Sequence, residues 1–234
     1  MSAGGVTLEA VSDAPLRASR DRVDVWRAAL DLAPAGAETA LRTLSGAERS
    51  HAVRLRIGAN RWVAARAALR GVLAHCLGVP PADIALVTGP DGKPRLAPGT
   101  GADLRFNLSH SGGMALVAVR LGLDVGVDLE EFRDDVDGEA VAREVLGEHE
   151  RAALAAVPAE DRREAFFRAW VRHEALAKAA GRGIAAAGTG RDAERFRVRD
   201  LTGIAGFAAA VASEGDGWSV ARVDARCPVP GFRS

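Results

Sequence analysis

The sequence predicts an α+β protein made of two similar-sized halves that meet near residue 122, and three observations carry that reading. The chain has 234 residues, enough for one large domain or two small ones at roughly 100–200 residues per domain. Its composition, 48% apolar and 26% charged, is that of a protein with a core and excludes a disordered or fibrous chain. Each half then carries a long helical pattern accompanied by short strand patterns, although no residue-level repeat is visible. The halves are taken as 1–122 and 123–234.

In chain order, VDVWRAAL at 23–30 reads as a first strand, followed by a polar, helix-like stretch from about Glu38 to Arg56. In NRWVAARAALRGVLAHCLG, residues Trp62, Ala65, Leu69, Val72 and Leu73 recur at helical spacing. Gly78, with Pro80 and Pro81 after it, supplies the stop. IALVTGPDGKPRL reads as strand, Pro-Asp-Gly turn and strand. Three strand candidates with glycine turns between them follow: LRFNLS at 104–109, MALVAV at 114–119 and VGVDLE at 125–130. A mostly helical region runs from about 136 to 182 with a break near Pro158, after which RFRVRDL, GFAAAVAS and WSVARVDA return to strand patterns.

The balance of charge narrows the function classes. With 31 basic and 31 acidic residues, no global field draws the protein to nucleic acid or to an anionic membrane. Two cysteines, Cys76 and Cys227, make neither a disulfide framework nor a metal cluster, and Cys76 falls in an apolar helical pattern that reads as core. The start, MSAGGVTLEAVSDAP, has no basic leader or apolar run, and no window reaches the ~18 apolar residues that span a bilayer. A cytoplasmic location is expected. Of the basic residues only Lys93 and Lys178 are lysines, which marks both as places where a compact ammonium on a flexible stem is wanted.

Three segments carry chemistry. In DVGVDLEEF, Val125, Val127 and Leu129 alternate with Gly126, Asp128 and Glu130, so Asp128 and Glu130 share one strand face. Such a pair is either a solvated edge or a ligand set for a hard cation such as Mg²⁺. In FFRAWVRHEALAKAAGRGI, helical spacing puts Phe167, Trp170, Val171, Glu174 and Lys178 on one stripe. A carboxylate and an ammonium bordering a core need each other or a ligand. Gly181, Gly183 and Ala186 match a dinucleotide fingerprint in letters, but they close a helix instead of joining a strand to one. In RFNLSHSGG, Ser109 and His110 are neighbours on a strand and so cannot form a nucleophile–base pair. Gly112 and Gly113 offer either backbone amides beside an imidazole for an anion or a plain strand-ending turn. No Walker pattern is present.

Taken in order, DGKP (Asp91 to Pro94), FNLSHSGG (Phe106 to Gly113), GVDLE (Gly126 to Glu130) and WVRHEALAKAAGRG (Trp170 to Gly183) resemble the Sfp-type 4′-phosphopantetheinyl transferases. The helix WVAARAALRGVLAHCLGVPP is similar to that family too. The resemblance implies a pseudo-dimer of two α/β halves with the active site between them, for which a monomer suffices. It implies Mg²⁺-dependent transfer of 4′-phosphopantetheine from coenzyme A to a serine of an acyl, peptidyl or aryl carrier protein, releasing 3′,5′-ADP. On the matched positions, Asp128, Glu130 and Glu174 hold the metal and Lys178 meets the pyrophosphate. Ser109 and His110 contact coenzyme A, Lys93 and Pro94 border the adenine, and Arg66 reaches the 3′-phosphate. Glu174 is the candidate base for the serine proton. Val171 and His173 depart from the family, which often has Thr or Ser and Lys there. Two other readings stay open: a Mg²⁺-dependent phosphohydrolase using the same carboxylates, and a silent coenzyme A- or carrier-binding module.

Overall fold

Alternating strands and glycine stops set the elements nearly where the sequence puts them. The computed structural model describes residues 6–7, 18–89, 92–100, 103–181 and 194–223; Asp91, Gly183, Ala186 and Cys227, named above, lie outside the described residues. The strands are β1 (Val6–Thr7), β2 (Arg22–Ala29), β3 (Leu86–Thr88), β4 (Pro94–Leu96), β5 (Leu104–Ser111), β6 (Met114–Leu121), β7 (Val125–Glu131), β8 (Phe196–Thr202), β9 (Phe207–Glu214) and β10 (Ser219–Val223). The helices are α1 (Pro34–Thr43), α2 (Gly46–Arg54), α3 (Ala59–Leu77), α4 (Gly138–Val145), α5 (Glu148–Ala155) and α6 (Arg162–Ala180). The mixture is α+β, as expected.

Two helical expectations are refined. The helix-like stretch from about Glu38 to Arg56 resolves into two helices, α1 and α2, because Ser45 starts a new one: its hydroxyl accepts from the Glu48 amide, while the Glu48 carboxylate accepts from the Ser45 amide. This reciprocal cap satisfies two donors that a helix start leaves bare. The region from 136 to 182 is broken at Leu146–Gly147 as well as after α5, since Gly147 begins α5 with its amide held by Glu150.

Two four-stranded sheets result, with strand orders β10-β2-β6-β5 and β1-β8-β9-β7. They face each other through one apolar layer, in which Val23, Val25, Leu116 and Ala118 of the first sheet meet Val125, Val127, Leu129 and Val211 of the second. Burying each such side chain contributes about 1.5–3 kcal/mol. Helix α3 covers the outer face of the first sheet, and α6 covers the outer face of the second. Both helices are 19 residues long and end on a left-handed glycine, Gly78 and Gly181, a conformation that costs any other residue. Gly122 lies where the chain passes from β6 to β7, and each sheet also takes a strand from across that point: β10 runs parallel beside β2, and β1 beside β8. No described helix is long and apolar enough to cross a membrane.

Candidate active site

The site is built at the seam between the sheets. Strands β5 and β7 are edges of different sheets, and polar side chains join them. Asn107 Oδ1 accepts from the Val127 amide at 2.9 Å. Ser109 Oγ donates to Asp128 Oδ1 at 2.7 Å. Ser111 Oγ donates to Glu130 Oε2 at 2.8 Å and accepts from the Glu131 amide at 3.1 Å. The two-residue strand period makes this work: Asn107, Ser109 and Ser111 share one face of β5, while Leu104, Phe106 and Leu108 pack toward α3. Sequence reasoning missed Asn107 and Ser111, although the alternation N-x-S-x-S on a strand between apolar residues is the signal that finds them.

Helix α6 completes the seam because small residues let it come close. A β-carbon on Gly126 would collide with the Ala175 carbonyl oxygen and the Ala179 nitrogen. Ala208, Ala210 and Ala212 of β9 keep the same surface low. Glu130 stands opposite Ala208 and Asp128 opposite Ala210. The predicted stripe is present, with Phe167 and Val171 in the core and Glu174 and Lys178 half-buried further along. Lys178 is neutralised across the seam: its Nζ lies 2.6 Å from Asp128 Oδ1 and 3.1 Å from Ser109 Oγ. Ser109 thus donates to a carboxylate and accepts from an ammonium, so its hydroxyl is a bridge and not an activated nucleophile.

The electrostatics follow from three carboxylates in a poorly solvated place. Asp128 is 3% exposed, and its Oδ2 is buried without a hydrogen-bond partner. Burial raises the pKa of Glu174, and the charge of Asp128 raises it further against the pull of Lys178. Burial likewise raises the pKa of Glu130, opposed by the Ser111 hydroxyl. His110 keeps a solvent-facing edge, yet desolvation by its surroundings and the Lys178 charge lower its pKa from the ordinary 6.5. The neutral imidazole is thereby favoured near neutral pH.

Beside the seam lies a cleft of about 770 Å³ between the β4–β5 region and the C-terminal end of α6. Lys93, Pro94, Phe106, Val125, Ala179 and Gly181 are among its walls. Ala179 and Val125 carry it to within one residue of Lys178 and three of Asp128 along the chain. Of the residues singled out from sequence, the structure brings Ser109, Asp128, Glu130, Glu174 and Lys178 together, leaves His110 exposed on the other face of β5 within range of the Lys178 charge, and sets Lys93 and Pro94 in the cleft. Arg66 is held elsewhere, on α3, with Nη2 2.6 Å from Glu48 Oε1 and its guanidinium over Trp62. The Gly112–Gly113 segment is the plain turn of the β5–β6 hairpin, with the Glu131 carboxylate against Gly112.

Among the described residues no three His, Cys, Asp or Glu side chains stand close enough, as they are, to grip a metal ion. The donor chemistry nonetheless fits a hard divalent cation: oxygen ligands only, with the buried Asp128 Oδ2 lacking a partner and both neighbouring glutamates disfavoured as anions.

Comparison with known proteins gives the family of this chain's relatives. Residues 124–222, which include Asp128, Glu130, Glu174 and Lys178, match the family model described as the 4′-phosphopantetheinyl transferase superfamily. The chain is 36% identical over 168 residues to the 4′-phosphopantetheinyl transferase HetI of a Nostoc species, covering 70% of this chain and 71% of that one. It is 36% identical over 121 residues to the 4′-phosphopantetheinyl transferase AcpT of Escherichia coli, covering 52% and 57%. It is 33% identical over 174 residues to a phosphopantetheinyl transferase of a Thraustochytrium species, covering 68% and 58%.

Proposed function

The chain belongs to the 4′-phosphopantetheinyl transferase superfamily, and from that premise we propose that it transfers the 4′-phosphopantetheine arm of coenzyme A to a serine of an apo carrier protein. The observation that carries this reading is the seam itself, where Lys178 meets Ser109 and Asp128, whose Oδ2 lacks a partner, while the cleft that Lys93 lines runs past their chain neighbours Ala179 and Val125. An enzyme whose nucleophile arrives on its substrate needs no internal Ser–base pair, and Ser109 is held as a bridge. The finer reading is the Sfp-type arrangement, a monomer whose two halves, near 1–122 and 123–234, form a pseudo-dimer. Supporting it, strand orders β2-β6-β5 and β7-β9-β8 repeat with one long helix each.

In this reading Asp128, Glu130 and Glu174 hold Mg²⁺, which when bound supplies positive charge against the coenzyme A pyrophosphate. Lys178 orients the phosphates, for which its ammonium exchanges part of its contact with Asp128. Lys93 and Pro94 border the adenine, while Ser109 and His110 contact coenzyme A, with the neutral imidazole acting through hydrogen bonds. Arg66 reaches the 3′-phosphate by exchanging Glu48 for it. Glu174 would take the proton of the carrier serine as the serine oxygen bonds to the pantetheine-side phosphorus; the bond from that phosphorus to the bridging oxygen breaks, and 3′,5′-ADP leaves with that electron pair. The test is incubation with coenzyme A, Mg²⁺ and a panel of apo carriers, read by intact mass. Addition of one phosphopantetheine by the wild type and none by a folded Asp128→Ala variant is expected. Coenzyme A cleavage without a carrier would instead favour a phosphohydrolase, and binding without turnover a silent module.

A further inference from the structure

Between Arg49 and Ala82 the chain contains no acidic residue but six arginines. Three are ion-paired: Arg61 with Asp31, and Arg66 and Arg70 with the single carboxylate of Glu48, which leaves one positive charge in excess there. The other three, Arg49, Arg54 and Arg56, are exposed on the end of α2 and the loop after it, and among the described residues no carboxylate pairs with them. Interleaved with them are Val53, 87% exposed, and Ile57, 92% exposed. Large aliphatic side chains so fully in water, framed by uncompensated cations, form a surface suited to covering by a partner with an apolar spot and negative charge around it.

The position of this surface links it to the site. Past the loop, Arg61 holds Asp31 at 2.8 Å. A β-carbon on Gly113 would come within 2.7 Å of the same Asp31 carboxylate. Gly113 belongs to the hairpin turn that follows Ser111, whose hydroxyl holds Glu130. The basic and apolar surface therefore continues, through one ion pair and one turn, into the Glu130 end of the seam. We propose that the α2–α3 surface docks the acceptor protein, a carrier domain presenting an acidic face with an apolar contact, so that its serine enters the seam from this side. The proposal rests on the transferase reading and adds to it the place and chemistry of partner recognition.

The experiment measures transfer kinetics for the wild type and two variants, Arg54→Glu/Arg56→Glu and Val53→Ser/Ile57→Ser, on apo carrier domains from fatty acid, polyketide and peptide assembly. All four side chains are exposed, so circular dichroism should show unchanged folding. The KM for the carrier should rise about tenfold or more in each variant, with the KM for coenzyme A and the kcat at saturating carrier unchanged. The charge-reversal defect should grow with the negative charge of the carrier, and the wild-type carrier KM should rise with salt. An unchanged carrier KM in both variants overturns the docking surface while leaving the transferase reading intact. A concentration-dependent dimer lost in Val53→Ser/Ile57→Ser, with an unchanged carrier KM, assigns the surface to a second copy and also overturns it. If the wild type modifies no carrier, the transferase reading falls and the docking surface with it.

Discussion

Glu174 and Glu48 are both acids in confined places, and their surroundings push them in opposite directions. At Glu174 burial dominates and the Asp128 charge adds to it against the pull of Lys178, so in the metal-free protein its pKa lies above the usual 4.5; a cation held by this carboxylate would pull the value back down. Glu174→Gln should lower transfer by ~10²-fold at saturating Mg²⁺, and the acidic limb of the pH–rate profile between pH 5 and 9 should disappear. Excess metal restoring the full rate with an unchanged profile would leave Glu174 as a ligand and no more. At Glu48 burial opposes ionisation, but the Ser45 amide, Arg66 and Arg70 together outweigh it and hold the pKa below 4.5. The folded value being the lower one, the stabilisation from the ionised group is complete above that range and fades as pH falls through it. Glu48→Gln should therefore cost about 3 kcal/mol at pH 7, as for a buried pair that loses one partner. In urea unfolding its deficit against wild type should shrink below pH 4.5; a pH-independent deficit would assign it to packing.

At the scale of elements, the contact of α6 with β7 decides where the chemistry sits. Gly126 has no side chain because the helix backbone occupies the space where one would go, and that closeness lets Lys178 reach Asp128 and Ser109. Gly126→Ala should cost about 1–3 kcal/mol through overpacking and move Glu174 and Lys178 away from the carboxylates. Lower thermal stability together with weaker Mn²⁺ binding, measured by calorimetry, is the expected result. A variant as stable as the wild type would show that the helix can stand further off. The same logic separates Gly126 from Gly78 and Gly181, whose role is to end their helices in a left-handed turn.

At the scale of the molecule, the two halves are interlocked. Strand β10 covers the edge of β2, and Trp218, just before it, lies in the layer between the sheets with Val23, Val25 and Val127. Arg120 of β6 adds a polar tie: it is 4% exposed, donates to the Ser213 hydroxyl and the Glu214 carbonyl of β9, and lies over the Trp218 ring. Fragments 1–122 and 123–234 expressed separately should each lack native tertiary structure by near-ultraviolet circular dichroism, and mixing them should restore it. A natively folded 1–122 fragment would contradict this, because the unpaired edge of β2 and the uncovered apolar face of its sheet disfavour it.

The sequence by itself determined the element pattern and which side chains share a face. The alternation in VGVDLE and the 3.6-residue stripe through Phe167, Glu174 and Lys178 are local periodicities, and those fix which face each side chain takes before any tertiary contact forms. The break at Ser45 was also legible, since Ser-x-x-Glu is a local cap. Only the tertiary structure decided which faces meet. That Lys178 pairs with Asp128 and not along its own helix, that Asn107, Ser109 and Ser111 bridge two sheets, that Arg66 is held by Glu48, and that β10 crosses back to β2 all join residues 18 to 197 positions apart. Such pairings depend on how apolar layers stack and how closely small residues allow them to approach, and neither is encoded in the spacing of neighbouring residues.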